Sequence, residues 1–223
     1  MSRRPLQIAG IASFAALYIY LCGLRRVLMS LAFVYTGGAE ILAGGLPYRD
    51  FEFVIGPIIF LLQAFFFKLF GLSYAGGYLA HAAALNALAA AFSYDIVWRR
   101  ARRELPAAAA GLLTAIWFYP IYHASPWYDQ ESYFFVLAAA WMITRAETGA
   151  KPPALWLLCA GTMTGVAFFT KQSNGALGAG CLALFLACDR RYRQTAVFLA
   201  GGAAASLALA LLLLISTARG ISP

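Results

Sequence analysis

Charge is the scarcest property of this chain. Only 12% of its 223 residues are Asp, Glu, Lys or Arg, against 62% hydrophobic residues. The mean hydropathy of +0.73 lies far from that of a soluble domain, which excludes that class. Acids are rarest, nine in all, with none between Leu6 and Ala39. The four cysteines, Cys22, Cys159, Cys181 and Cys188, sit in apolar runs without CxxC spacing. They point neither to a disulfide framework nor to a metal site, and packing is the role left to them. His81 and His123 are the two histidines, each without a partner at metal-ligand spacing. GxSxG, Walker and Rossmann patterns in a suitable strand and helix context are missing, and no basic aromatic surface speaks for nucleic acid.

Long apolar sequence is what the chain has instead. A bilayer core of about 30 Å needs roughly 20 apolar residues per helix, and runs at 6–24, 74–97, 105–122, 126–144, 154–170, 174–188 and 195–216 approach or meet that length. They predict an all-α, polytopic transmembrane bundle of about seven spans in a single membrane domain, residues 1–223. The runs at 154–170 and 174–188 are short, so their helices must extend into flanking polar residues. The opening "MSRRPLQIAG" has the charged front of a signal peptide, but "LYIYLCGLRR" is bulky and basic where a cleavage site would stand. It reads as an uncleaved signal anchor.

The segment 51–72, "FEFVIGPIIFLLQAFFFKLFGL", contains Gly56-Pro57, which interrupts a helix, and Lys68 near its end. If it does not cross and the N-terminus is inside, eleven of the 17 Lys and Arg residues fall on the cytoplasmic side: Arg3 and Arg4, four in 99–103, Arg145, Lys151, and three in 190–193. That distribution obeys the positive-inside rule. A long first outer loop, 25–73, follows, with an amphipathic or partly embedded helix in its second half. The net charge of +8 is accounted for by these clusters meeting anionic lipid.

This topology sorts the acids. Glu40, Asp50, Glu52, Asp129 and Glu131 fall at the outer surface, and Asp95, Glu104, Glu147 and Asp189 at the inner one. Ser125-Pro126 reads as an N-cap followed by proline at the first helical position, setting Asp129 and Glu131 in opening turns where the helix dipole favours carboxylates. Two readings of this pair stand: solvated interfacial acids, or members of a site. Asp50, between Arg49 and an aromatic, has the position of a general base or metal ligand facing a cavity at the bilayer surface; equally, Arg49 and Asp50 form a pair that only holds the loop. Lys171 ends a span in "FFTKQSNG", where a cation suits a helix C-terminus, and Gln172, Ser173 and Asn174 add donors for an anion such as phosphate; the alternative is a lysine reaching for water. Arg25 and Arg26 end the first span against the charge rule. Asn86 and His81 are expected to bond neighbouring helices. "GTMTG", with Gly161 and Gly165, is a small-xxx-small pattern for close helix packing.

"FVYTGGAEILAGGLPYRDFEFVIGPIIFLLQAFFFKLFG", then "SPWYDQESYFFVLAAAWM", then "GVAFFTKQSNGALG" resembles the GT-C superfamily of polytopic glycosyltransferases, notably the bacterial relatives of protein mannosyltransferases and lipid A aminoarabinose transferases. The loop motif G-x-P-Y-R-D-F, followed by G-P and F-x-L-F-G, is its most specific part, and the T-K-Q element supports it. The resemblance implies a transferase of the bacterial inner membrane with a periplasmic active face, taking a sugar from a polyprenyl-phosphate donor to a periplasmic or lipid-linked acceptor. It implies an acid of the first outer loop as base or metal ligand and a loop helix lying along the membrane. Carried onto this chain, the catalytic acids are Asp50, Glu52 and Asp129, and Asp50 and Asp129 are the positions for a divalent metal ion, the one cofactor implied. Substrate contacts fall to Tyr48, Arg49, Glu131, Lys171, Gln172 and His123.

Two departures qualify the resemblance. Relatives carry an aspartate early in the first outer loop, at a place that corresponds to Ser30 here, and serine is no equal of a carboxylate as base or hard-metal ligand. Relatives also continue through further spans, so the chain has the extent of their amino-terminal part. A non-catalytic membrane protein that binds a lipid-linked saccharide or a partner subunit is therefore the second reading. A transporter is the third, disfavoured because charges crowd the ends of spans and not the midplane.

Overall fold

The computed structural model describes residues 4–25, 31–51, 55–119, 124–149 and 153–218. Among these every regular element is a helix: α1 (Arg4–Leu24), a π-turn (Leu31–Tyr35) running into α2 (Thr36–Leu42), α3 (Ile58–Phe70), a second π-turn (Tyr74–Tyr78) running into α4 (Leu79–Ala101), α5 (Glu104–Trp117), α6 (Tyr128–Thr148), α7 (Pro153–Thr170), α8 (Gln172–Cys188) and α9 (Tyr192–Ala218). Each of the seven apolar runs is thus a helix in an all-α membrane bundle. Arg4–Leu24, Tyr74–Ala101, Pro153–Thr170 and Tyr192–Ala218 are long and apolar enough to cross a bilayer unaided. α5 and α8 have 14 and 17 residues. α6 has 21 residues but carries Asp129, Glu131, Arg145 and Glu147. α8 starts at Gln172, so it takes up the polar residues that its short apolar run requires.

The chain divides into two compact units, Met1–Ala39 with Phe60–Gln130, and Glu40–Ile59 with Glu131–Pro223. In the first, α1 runs antiparallel to α4. Arg4 at the start of α1 pairs with Asp95 near the end of α4, which also accepts a 2.7 Å bond from Arg99, and Arg4 lies 3.8 Å over the Trp98 ring. At the opposite end the Tyr74 hydroxyl donates to the Gly23 carbonyl at 2.7 Å. Asp95 is buried, where an ion pair persists only when it is well partnered, and Arg4 and Arg99 supply its partners. Ile11, Ala15, Ala90, Tyr94, Ala107 and Ala115 form the core between α1, α4 and α5. Within it the Asn86 amide donates to the carbonyls of Ala15 and Ala115, both at 2.9 Å. As expected, Asn86 ties its helix to its neighbours; such bonds contribute about 0.6 kcal/mol each in membranes.

This antiparallel pairing puts the end of α1 and the start of α4 at the same end of the first unit. α3, with 13 residues, covers about 20 Å at 1.5 Å per residue and is too short to span. Its inner face buries Phe60, Gln63 and Phe67, with Gly37 close on Phe60 and Gly38 close on Gln63. His81 Nδ1 lies 2.9 Å from Gln63 Oε1 while its ring stacks on Phe66 at 4.8 Å, which is the helix bonding expected of it. Leu61, Phe65, Leu69 and Phe70 are exposed on α3. Apolar on both faces, α3 fits the partly embedded alternative.

In the second unit α6, α7, α8 and α9 alternate in direction. Arg191 pairs with Glu147, joining the end of α6 to the α8–α9 turn, and Arg145 sits 5.5 and 5.2 Å from the rings of Trp141 and Trp156. At the other end Ser132 Oγ donates to the Ala167 carbonyl at 3.1 Å. Gly161 lies against the Phe198 carbonyl and the Gly202 amide, and Gly165 against Ala205 and Gly202. The GTMTG pattern is therefore the α7 face that meets α9, as small-residue spacing predicts. Ala139, Ile143, Leu157, Ala160, Leu186 and Phe198 form the core.

Candidate functional site

The loop at 44–51 is a tight polar turn. Arg49 grips Asp50 with two bonds, Nε to Oδ1 at 2.8 Å and Nη2 to Oδ2 at 2.6 Å, and the Leu46 amide donates to Oδ2 at 2.7 Å. The amides of Arg49 and Asp50 donate to the Leu46 carbonyl at 3.2 and 3.0 Å. Tyr48 takes a left-handed backbone, φ 64°, a conformation that costs a non-glycine residue on the order of 1–3 kcal/mol. Its hydroxyl donates to the Ile55 carbonyl at 2.7 Å and its amide to the Phe51 carbonyl at 2.8 Å, and these bonds hold it there. Hydrogen bonds from Arg49 first, and from the Leu46 amide second, hold the Asp50 carboxyl below the usual carboxylate range. Asp50 is therefore an ionised, neutralised group, 38% exposed, and acts as a proton acceptor only if Arg49 releases it.

Tyr48 leads to Lys171. Ile55 accepts its hydroxyl, and the next residue, Gly56, rests against the Phe169 carbonyl and the Thr170 amide at the end of α7. Lys171 follows in extended conformation, φ −151° and ψ 112°. Its amide donates to the Ala167 carbonyl at 2.9 Å, and its carbonyl accepts from the Gly175 amide at 3.0 Å. One half-buried lysine thus joins the C-terminus of α7 to the N-terminus of α8, whose first-turn amides favour an anion. Gln172 is exposed in that first turn. Within the second unit, Tyr48, Arg49, Asp50, Lys171 and Gln172 therefore belong to one end, along with Glu131, whose neighbour Ser132 bonds Ala167.

Two expectations about α6 need correction. The helix begins at Tyr128, so Ser125-Pro126 precede it and do not cap it. Glu131 is 0% exposed, so the reading of a solvated interfacial acid does not hold for it; in the first turns of α6 its side chain turns to the protein interior. Asp129 is half-buried in the first unit and follows Trp127 and Tyr128, whose rings lie 4.6 Å apart, with Phe33 at 6.5 Å from Trp127. The sequence signal for this aromatic setting is "PWYDQE". Glu40 is exposed on α2 and Arg25 is exposed after α1. Arg26, Ser30, Glu52 and His123 lie outside the described residues.

A divalent ion at Asp50 would require carboxylate oxygens open to it and further oxygen donors beside them. Among the described residues no three His, Cys, Asp or Glu side chains gather, and both Asp50 oxygens are engaged by Arg49 and Leu46. Bonded in this way, Asp50 is not preformed as a hard-cation ligand.

The stacked apolar helices are those of a multi-pass membrane protein. The family described as dolichyl-phosphate-mannose-protein mannosyltransferase matches residues 55–215. The chain belongs to that family, one of GT-C membrane glycosyltransferases that draw on polyprenyl-phosphate sugar donors. The match includes Asp129, Glu131, Lys171 and Gln172 and begins after the Tyr48-Arg49-Asp50 turn. No curated protein and no solved structure matches.

Proposed function

We propose that this chain transfers a sugar from a polyprenyl phosphate to an acceptor, periplasmic or lipid-linked, at the periplasmic face of a bacterial inner membrane, and that 1–223 works as one membrane domain. The contact of Gly56 with Phe169 and Thr170 carries the reading. It brings the loop of Tyr48, Arg49 and Asp50 to the helix junction at Lys171. Lys171 and the first turn of α8, with Gln172, receive the donor phosphate; a lysine and helix amides together suit it. Arg49 adds a second cation.

In the transfer an acceptor hydroxyl attacks the anomeric carbon, the bond from that carbon to the phosphate oxygen breaks, and the hydroxyl proton passes to a carboxylate. The cations stabilise the charge gathering on the departing phosphate. Asp50 takes the proton once Arg49 turns to the phosphate, so that donor binding itself frees the base. Glu52 and Asp129 are the other acids for that role. Tyr48, Glu131 and His123 complete the substrate contacts.

The test is Asp50→Asn, assayed for transfer from a polyprenyl-phosphate sugar in membranes. Transfer is expected to fall at least 100-fold, in keeping with general-base loss, with membrane insertion intact. Transfer at the unaltered rate removes Asp50 from the base role. A second reading, a non-catalytic binder of lipid-linked saccharide, is favoured by the engagement of both Asp50 oxygens and by the absence of acids between Leu6 and Ala39. Binding of polyprenyl phosphate without turnover by the unaltered protein distinguishes it.

A further inference from the structure

We infer that the cavity between the first turns of α7 and α9 holds the headgroup of an anionic phospholipid, with its phosphate on Arg193 and Gln194. It lies in the second unit, at the end opposite Lys171, and does not rest on the donor reading above. α7 and α9 run parallel, since Gly161 meets Phe198 and Gly202, and Gly165 meets Gly202 and Ala205. Toward the starts of the two helices, residues 153–160 and 192–200 contain no glycine, and the helices part around a cavity of about 300 Å³. Pro153, Ala154, Leu157 and Val197 form its apolar wall, and Arg193 and Gln194 its polar one. From Pro153 to Leu157 it runs about 6 Å at 1.5 Å per residue. That is room for a phosphate and its glycerol carbons, and too little for an acyl chain.

Charge decides what fills it. Arg191 pairs with Glu147 and, at 3.5 Å, with Asp189, so one arginine engages both of these acids and its neighbours are left over. Arg193 and Arg190 are exposed. Among the described residues no acid lines the cavity, and neither Arg193 nor Gln194 has a side-chain partner. A guanidinium and a carboxamide on one wall offer a phosphate several hydrogen bonds, those of the arginine assisted by charge. A soluble anion would answer the arginine and leave the apolar wall wet, whereas a lipid headgroup covers both. Basic pockets between membrane helices on the cytoplasmic side suit anionic headgroups, and the positive-inside rule assigns the arginine-rich end to that side.

The full chain in phosphatidylcholine nanodiscs serves for the test, with phosphatidylglycerol carrying a diazirine on the first carbons of one acyl chain as probe. Photolabelling of the unaltered protein is expected on Ala154, Leu157 or Val197; labelling that spares both helix starts overturns the inference without any variant having to fold. Arg193→Gln is expected to weaken saturable labelling there roughly fivefold or more. Arg103→Gln removes an exposed cation of the first unit and is expected to change it by less than about twofold, because remote exposed charges are screened. Unaltered labelling in Arg193→Gln overturns the site. So does equal loss in the two variants, which would mean a general attraction of basic protein to acidic lipid. Phosphatidylcholine with the same diazirine is expected not to label these positions, and equal labelling by it overturns the choice of an anionic headgroup. Loss of labelling when inorganic phosphate replaces chloride at equal ionic strength makes a soluble anion the occupant and overturns the choice of a lipid.

Discussion

The backbone of Gly56 lies on the carbonyl of Phe169, with the Thr170 amide beside it, and no side chain fits between them. This contact, and not the turn alone, accounts for a glycine at 56. It docks the loop bearing Tyr48, Arg49 and Asp50 on the α7–α8 junction, where Lys171 stands.

Gly56→Ala therefore pushes the loop off its seat. Overpacking of this kind costs about 1–3 kcal/mol, and each 1.4 kcal/mol is tenfold in the opening equilibrium. Limited proteolysis within 44–56 is expected to accelerate by roughly 5- to 100-fold in the variant, with the helices unaffected. Cleavage at the unaltered rate would show that the loop does not depend on this contact. Because the substitution leaves the Asp50 and Lys171 side chains themselves unaltered, a parallel loss of transfer would report the displacement of the loop.

Asp50 sets the acid limit of the same loop. Its carboxyl is lowered by hydrogen bonds from Arg49 and the Leu46 amide, and a group lowered in the folded loop contributes order above its unfolded value, near 3.9, that fades as pH falls through the lowered one. Loop order is consequently expected to be flat from about pH 5 to 8 and to weaken only in stronger acid. Maleimide labelling of Tyr48→Cys against pH, in a background without the four native cysteines, is the measurement. A labelling midpoint at neutral pH would mean that the Arg49–Asp50 pair does not govern the turn.

The helices were readable from the sequence because bilayer thickness and apolar run length are directly linked; all seven runs became helices, with boundary shifts of a few residues. Charge placement is compatible with the antiparallel α1–α4 pair, in which Arg4 and Arg99 both meet Asp95 at one end. Local spacing also sufficed for Gly161 and Gly165, whose contact with α9 is a property of the motif. The sequence was silent on contacts between distant stretches. Gly56 reads as a helix breaker until Phe169 is seen against it. Both readings of Glu131, solvated acid and member of a site, stand in the sequence, because nothing in "DQES" tells which residues of an opening turn face inward. For Asp50 the sequence offers both a base and a loop pair; the structure shows the pair, so the proposed base role requires a movement of Arg49.

Sidedness decides whether these residues can serve one site. In the second unit Lys171 and Gln172 lie at the end opposite Arg191 and Glu147, and Gly56 brings Tyr48 to the Lys171 end. The positive-inside rule puts the arginine-rich clusters in the cytoplasm. Single cysteines at Tyr48 and Gln172, each in a chain lacking Cys22, Cys159, Cys181 and Cys188, should thus react with an impermeant maleimide added outside intact spheroplasts. Cysteines at Arg100 and Arg193, both exposed, should react only after the membrane is opened. If Tyr48→Cys and Gln172→Cys label from opposite sides, the loop cannot serve a phosphate at Lys171, and transfer at this site is ruled out. If both label only from the cytoplasm, together with Arg193→Cys, the charge rule stands and the alternation of α6 to α9 is wrong. Labelling of the first pair alone from outside leaves a single outer face on which a lipid phosphate, Arg49 and the loop acid meet.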